Sequence, residues 1–440
     1  MTSPAADAEA AFQRIIATFT SSAQPGVVVD SPPGAGKSTL VVRSSTQLAA
    51  DGEPVMVVAQ TNSQVDDLVA RIARRAPTLR IGRLSRADYV PSPDVQRPNV
   101  QVSSDIRKLA DCAIIVGTAS KWVWVTEGRW PWAIIDEAYQ MRSDLLLRIA
   151  ARFDRILFVG DPGQLDPFST VETNRWAGVP WDPMQSAVAA LLRNNPDTPQ
   201  ERLPVSWRLP PSAAPIVQRA FYPSTTFTAG TVPEERSVHL PVAGVGAAAV
   251  DEVINLASET GWGFYELPAR NTIRTDAEAV AATAAIAARL LQRGTETVCE
   301  ESPGGRRLTA DRIAIGAAHR DQVAAIARAL RAIGGAASQC RVDTANRLQG
   351  AEFDMTIVLH PLSGRRDATA FHLESGRLCV LTSRHRHACI VVGRAGIPEL
   401  LDAHPSVEPV HLKSLLKFPD GWEANQAMLG HLGQHTVPAL

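Results

Sequence analysis

Short, almost wholly apolar runs alternate along this chain with longer stretches whose apolar residues recur at helical spacing. In the first half the runs are Val27–Asp30, Val55–Ala59, Ile81–Leu84, Ala113–Thr118, Trp132–Asp136 and Ile156–Asp161. Each has the length of a strand and ends in polar residues or glycine. Between them, Val65–Arg75 carries apolar residues at helical spacing and predicts an amphipathic helix. A second series follows the Pro/Asn-rich stretch Asn194–Pro204: Gly263–Leu267, Ile313–Ala317, Cys340–Val342, Met355–Leu359, Cys379–Leu381 and Cys389–Val392. Ala-rich helical patterns lie among these, at Asp276–Arg293 and Asp321–Ile333. Such alternation is that of an α/β fold with mainly parallel sheets. It predicts two domains, residues 1–200 and 201–410, then a helix and loose tail over 411–440. Gly304–Arg307 and Ser363–Arg366 read as exposed loops, and no repeat of solenoid period is visible.

Composition narrows this picture only slightly. The 440 residues suffice for two or three domains with ample cores, and 45% hydrophobic with 20% charged is ordinary for a globular chain. No apolar run is long enough to span a bilayer, so no membrane partner is expected, and the N-terminus has no secretion-signal pattern. Five scattered cysteines without a CxxC pair suit a reducing cytoplasm. A formal net charge of −1 advertises no global basic field, so any nucleic-acid contact must be a local groove.

Candidate chemistry begins at Gly26–Thr39, a strand, a glycine-rich turn and a helix start carrying Lys37 and Ser38. Backbone amides of such a turn, with the helix N-terminus, form a polyphosphate site. Its residues are Pro33, Gly34, Ala35, Gly36, Lys37, Ser38 and Thr39. Lys37 is expected to reach the β/γ-phosphates of ATP, and the Ser38 hydroxyl to hold Mg²⁺. The strict pattern has glycine where this chain has Ser31. Asp136-Glu137 then closes another strand, and adjacent carboxylates repel unless a cation or proton offsets them. With a phosphate loop in the same domain, Asp136 is expected on Mg²⁺ and Glu137 on the attacking water. An Asp-Glu pair capping the next helix is the alternative. Val159–Pro167 lies at the end of a further strand; Gln164 there can report a γ-phosphate to moving parts of the chain, or simply belong to a turn.

In this order the motifs resemble those of the superfamily 1 helicases, in the 5′-to-3′ branch related to the nonsense-mediated-decay helicase. The matching blocks are residues 31–38 (SPPGAGKS), 59–66 (AQTNSQVD), 136–140 (DEAYQ), 160–165 (GDPGQL), 206–211 (SWRLPP), 318–322 (AHRDQ), 342–354 (VDTANRLQGAEFD) and 381–386 (LTSRHR). The resemblance implies two tandem RecA-like P-loop domains with an ATP cleft between them. It also implies roles. Gln13 resembles the adenine-reading glutamine, a plain helix-surface glutamine being the alternative, and Trp207 the aromatic that stacks on the base. Arg208 resembles the γ-phosphate arginine and Arg384 a second arginine finger, with Arg386 competing for that role. Gln349, Gly350 and Glu352 resemble the block coupling nucleotide to nucleic acid, with Glu352 near the ribose.

Single-stranded DNA or RNA would, by the same resemblance, meet Thr61, Asn62, Thr118, Ser120 and Thr344. Their hydroxyl and amide groups can grip phosphates and sugars without reading sequence; each can equally cap a helix. Trp122, Trp124, Trp130 and Trp132 are expected in packing, with a base-stacking platform the alternative. Cys379, His385, His387 and Cys389, on or beside expected buried strands, fit no zinc spacing. Thr118 to Asp136 is too short for an inserted domain, which implies a nearly bare pair of motor domains whose specificity a protein partner supplies. The expected function is an ATP-hydrolysing helicase-like motor on a single strand. The alternative is a nucleotide-gated interaction module within a larger complex.

Overall fold

The computed structural model describes residues 3–165, 167, 176, 182, 185–244, 248–272, 275–405 and 420–439. These form two compact units. Unit 1 holds the described residues up to Pro162 and from 167 to Pro204, and unit 2 holds Gly163–Leu165 and those from Val205 on.

Unit 1 is one sheet of eight parallel strands covered by helices. Its strands are β1 (Gly26–Asp30), β2 (Val55–Ala59), β3 (Ile81–Leu84), β4 (Val100–Ser103), β5 (Ile114–Thr118), β6 (Trp130–Asp136), β7 (Phe153–Gly160) and β8 (Gln200–Arg202), ordered β4-β3-β5-β2-β6-β7-β1-β8. The central strands are apolar on both faces because helices cover both. One face packs Val27, Val29, Val55, Val57, Ile134 and Leu157 beneath the helices α1 (Pro4–Ser21), α2 (Lys37–Ala50) and α3 (Asn62–Arg75). The other packs Val28, Met56, Val58, Ile135 and Phe158 with Trp122 and Trp130. The helix α3 starts on a capping box: Thr61 Oγ1 accepts from Gln64 N, and the Gln64 side chain accepts from Thr61 N. Its Val65, Leu68, Val69 and Ile72 are buried, as the helical stripe requires.

Unit 2 has short pairs β9 (Val205–Ser206) with β10 (Thr228–Ala229), and an antiparallel sheet of β11 (Ser237–His239), β13 (Glu296–Cys299) and β14 (Ser302–Arg307). Its main sheet is parallel throughout and ordered β16-β15-β17-β18-β12-β19. Those strands are β12 (Trp262–Leu267), β15 (Ile313–Ala317), β16 (Arg341–Thr344), β17 (Phe353–Leu359), β18 (His385–Arg394) and β19 (Thr436–Pro438). Arg394, closing β18, is buried against Asp276, the N-cap of helix Ala277–Gln292. Two parallel α/β sheets are thus what the alternation predicted.

Four local expectations fail. Cys379–Leu381 lies in the helix Ser375–Thr382, every residue of which is buried. A short run buried all round reads alike as strand or helix, since neither period shows. Gly304–Arg307 is not a loop but part of β14, in a hairpin turned by Glu300-Glu301. Ser363 and Gly364 are buried rather than exposed, and a Cβ on Gly364 would stand 2.6 Å from Thr272 Oγ1. The helix expected in the C-terminal stretch is Gly421–Leu432, but no loose tail follows it: β19 is an edge strand on β12; residues 411–419 lie outside those described.

Candidate functional site

Carboxyl ends of β1, β6 and β7 are neighbours in the sheet of unit 1, and each delivers part of one polar cluster. After β1 the chain turns through Gly34 (φ 73°) and Gly36 (φ 88°), then enters α2 at Lys37. A side chain is strained at such φ, and glycine there brings the backbone close to a ligand. At Ser31 φ is not positive, so the fold does not demand the glycine of the strict pattern. The Ser31 hydroxyl is buried and meets no partner among the described residues.

Lys37 reaches into a nest of carboxylates. Its Nζ lies 3.4 Å from Asp161 Oδ2 and 3.9 Å from Glu137 Oε1. Asp136, Glu137 and Asp161 are all buried, so three carboxyl groups share the field of one ammonium. Burial and then the Glu137 charge push the Asp136 carboxyl up to about 7, against the pull of Lys37. A divalent cation would remove that conflict, and the half-buried Ser38 hydroxyl opens α2 beside Lys37. These residues therefore fit Mg²⁺ with a polyphosphate.

Glu137 is the single non-glycine residue at positive φ (53°) among those described. A left-handed glutamate costs on the order of 1 kcal/mol, and such strain gathers at functional positions. Gln140 Nε2 donates to its Oε2 at 2.9 Å, and Tyr139 Oη to Asp30 Oδ1 at 2.5 Å. Gly160 lets this turn approach: a Cβ there would stand 2.8 Å from the Tyr139 ring.

Neighbouring strands carry the second feature, a polar cleft of about 1160 Å³. It opens at the carboxyl ends of β2, β3 and β5, and Thr61, Asn62, Thr118 and Ser120 line it together. Two of these hydroxyls also cap helices, since Thr61 accepts from Gln64 N and Thr118 from Lys121 N. The Asn62 carbonyl accepts from the buried Arg83 at 2.9 Å, which turns the amide NH₂ away from Arg83. Arg83 also donates to Asp66 Oδ1, and its guanidinium lies 4.2 Å from the Tyr89 ring centre.

Gln60 joins the two features. It lines the cleft, and its Nε2 donates to the main-chain oxygen of Asp136 at 3.2 Å. The sequence assigned no role to Gln60, Arg83 or Asp161; Asp161 directly follows β7 as Asp136 ends β6, which was the available signal. Gln60 and Arg83 gave none.

Gln13 sits on the exposed face of α1, donating to Glu9 at 2.9 Å. Thr39 accepts from Arg71 Nη2 at 3.0 Å.

Unit 2 carries the remaining candidates. Arg208 is nearly buried, with its Nε 3.3 Å from Glu352 Oε2. Trp207 beside it is partly exposed and packs on Gly230, where a Cβ would fall 2.5 Å from the indole. Arg236 clips this loop to β18: it donates to the main-chain oxygens of Trp207 (2.6 Å), Arg208 (2.5 Å) and Arg386 (3.3 Å), and pairs with Glu300. Burial favours a protonated Glu300, but the Arg236 hydrogen bond and the Arg236 and Arg386 charges hold it at about 2. Arg386 is occupied by Glu301 at 2.9 Å and Glu300 at 3.5 Å. Arg384 donates to Ser383 Oγ, and its buried Nε meets no partner among the described residues.

Gln164 is buried, in the Gly163–Leu165 stretch that belongs to unit 2. A Cβ on Gly376 would stand 2.6 Å from the Gln164 backbone. Thr344 precedes helix Ala345–Leu348 without a side-chain cap bond. Gln349 has a buried Nε2 without a partner among the described residues, and Gly350 has φ 79°. Of the Cys/His set, Cys379 is helical, while His385, His387 and Cys389 lie on β18.

Among known proteins, two family models, each described as an AAA domain, match residues 9–176 and 184–396. The chain is 28% identical over 148 residues to the DNA replication ATP-dependent helicase/nuclease DNA2 of Xenopus laevis, and 27% over 157 residues to that of Saccharomyces cerevisiae. These matches cover 31% and 33% of this chain but only 14% and 10% of those relatives. The crystal structure of Arterivirus nonstructural protein 10 (helicase) overlaps 89% of this chain and 63% of its own, at 14% identity and a TM-score of 0.46. Among the described residues no helix is long and apolar enough to cross a membrane.

Proposed function

We propose that this chain is a P-loop helicase of superfamily 1, a Mg²⁺-dependent ATPase motor on single-stranded DNA or RNA; the two AAA-domain matches and the likeness to the DNA2 helicase/nucleases support that reading. The observation that carries this is the linear arrangement within one sheet. Lys37, Asp136, Glu137 and Asp161 stand at the ends of β1, β6 and β7, and the hydroxyl-lined cleft opens at β2, β3 and β5. Gln60 bridges them through the Asp136 carbonyl.

In this reading the Gly34–Lys37 turn cradles the phosphates and Lys37 neutralises the β/γ oxygens. Ser38 and Asp136 hold Mg²⁺, which supplies charge compensation on the phosphoryl oxygens when bound. Glu137, kept in place by Gln140, orients and deprotonates the attacking water. Gln164 senses the terminal phosphate. Arg208 and Arg384 are the assigned donors of transition-state charge stabilisation, and Trp207, Gln13 and Glu352 the nucleoside contacts. The free Nε of Arg384, against the doubly paired Arg386, favours Arg384 as the finger. Thr61, Asn62, Thr118 and Ser120, with Thr344 in unit 2, hold backbone phosphates and sugars. Their hydroxyl and amide chemistry suits binding without sequence preference.

The test is ATP turnover in the wild type, Lys37→Ala and Glu137→Gln, with nucleotide binding measured in parallel. Both variants are expected to lose at least about 100-fold in kcat, with Glu137→Gln still binding ATP. Turnover retained in Lys37→Ala would remove the proposed site.

A further inference from the structure

We propose that Trp124 is a base-stacking platform for an unpaired nucleobase held in the cleft of unit 1. The four clustered tryptophans have different fates. Trp122 and Trp130 are buried edge to face at 5.1 Å, and Trp122 Nε1 donates to the Val57 oxygen. Trp132 packs edge-on against Phe19 at 5.0 Å. Trp124 alone among them is open, at 75% exposure, its one ring neighbour being the Arg148 guanidinium at 5.8 Å among the described residues, and it lines the cleft with Thr61, Asn62, Thr118 and Ser120.

This exposure is built rather than incidental. Trp124 stands on a turn closed by Trp124 N to Lys121 O (3.1 Å) and Val125 N to Trp122 O (3.0 Å). The buried side chains of Trp122 and Val125 anchor that turn on either side, so the indole is presented from a fixed backbone. An indole left in water forgoes a large burial gain, which a planar π-surface would recover. Tyr89, the other ring lining the cleft, is committed: its hydroxyl bonds Asp66 and its face lies against Arg83. Lys121 and Arg86 line the same cleft; Arg86 pairs there with Asp88 at 3.1 Å, which leaves the Lys121 ammonium, also donating to the Ser104 oxygen, as the cation for an adjoining phosphate. Every base has a π-face, so stacking here adds affinity without sequence preference. Trp124 can act so only if the cleft takes nucleic acid, the role proposed above.

The test is fluorescence anisotropy of the full chain with labelled oligothymidylate, oligouridylate and a fully abasic deoxyribose-phosphate strand. Wild type is compared with Trp124→Ala and Trp124→Phe. Trp124→Ala is expected to weaken binding to both base-bearing strands by roughly tenfold. The abasic strand should bind both proteins alike, Trp124→Phe should restore most of the loss, and ATP turnover without nucleic acid should stay unchanged. Dependence on Trp124 with one sugar only would assign the platform to that strand. Equal affinities of wild type and Trp124→Ala for base-bearing strands, or an equal loss on the abasic strand, would overturn the stacking role alone. A wild type that binds no strand of either sugar would overturn the nucleic-acid reading and this role with it.

Discussion

Arg236 donates a hydrogen bond to the main-chain oxygen of Arg208 at 2.5 Å, from a side chain only 2% exposed. The same guanidinium reaches the Trp207 and Arg386 carbonyls and the Glu300 carboxylate, so one side chain sets the spacing between the Trp207-Arg208 loop and β18. Arg236→Ala removes three carbonyl contacts at once and releases the loop. Displacing a charge-stabilising group by about 1 Å can cost on the order of 100-fold in rate. The expectation is a fall in kcat of that order with a smaller change in KM for ATP, partly restored by Arg236→Lys. Steady-state kinetics beside a urea unfolding curve distinguishes this from global instability.

Gln60 offers a separate handle on coupling, because its amide touches the Asp136 carbonyl from within the cleft. In Gln60→Leu, turnover without nucleic acid and strand affinity are expected to stay within about fivefold of wild type, since a single neutral hydrogen bond contributes only ~1 kcal/mol. Stimulation of turnover by a strand is expected to fall further than either. Paired measurements of binding and stimulated turnover check it.

Ser31 occupies a position where glycine is usual, and its buried hydroxyl finds no partner among the described residues. Leaving such a group unsatisfied costs about 1–3 kcal/mol. Ser31→Ala is therefore expected to stabilise the ligand-free protein by ~1 kcal/mol, read as a raised urea midpoint, and to keep ATP binding.

His360 and His385 predict a particular acid response. Burial holds His360 near 4, and burial with the charges of His387, Arg208 and Arg384 holds His385 near 3. In the unfolded chain both take up a proton near 6.5. Between those values the unfolded state binds more protons, so stability falls as pH drops below 6.5, by about 1.4 kcal/mol per pH unit for each group. Asparagine at 360 keeps an acceptor for Leu362 N, which now donates to His360 Nδ1. Unfolding of His360→Asn should take up about half a proton fewer than wild type at pH 6.5, rising toward one fewer near pH 5.

Much of this molecule was legible before its structure. β2 and β15 announced themselves because strands buried on both faces must be apolar throughout, and the phosphate turn did so through its glycines and Lys37. The Asp136-Glu137 pair was legible because two carboxylates at one strand end need an explanation. Helix Ser375–Thr382 was not, since burial on every side erases the helical stripe. Hairpin β13–β14 hid in a Gly-Gly-Arg-Arg string whose strand character comes from pairing with β13, not from propensity. The Arg236–Glu300 pair spans 64 positions of sequence, and no local pattern foretells it. The tryptophans were visible as a cluster, but only the fold separates Trp124 from its buried neighbours.

ATP turnover titrated with single-stranded DNA and with single-stranded RNA, at about 50 and 200 mM salt, tests the motor most directly. A motor of this kind gives a saturable rise with at least one sugar type, half-saturation moving to higher strand concentration with salt, and no turnover in Lys37→Ala. A rate that Lys37→Ala abolishes but that neither strand changes at either salt would contradict it.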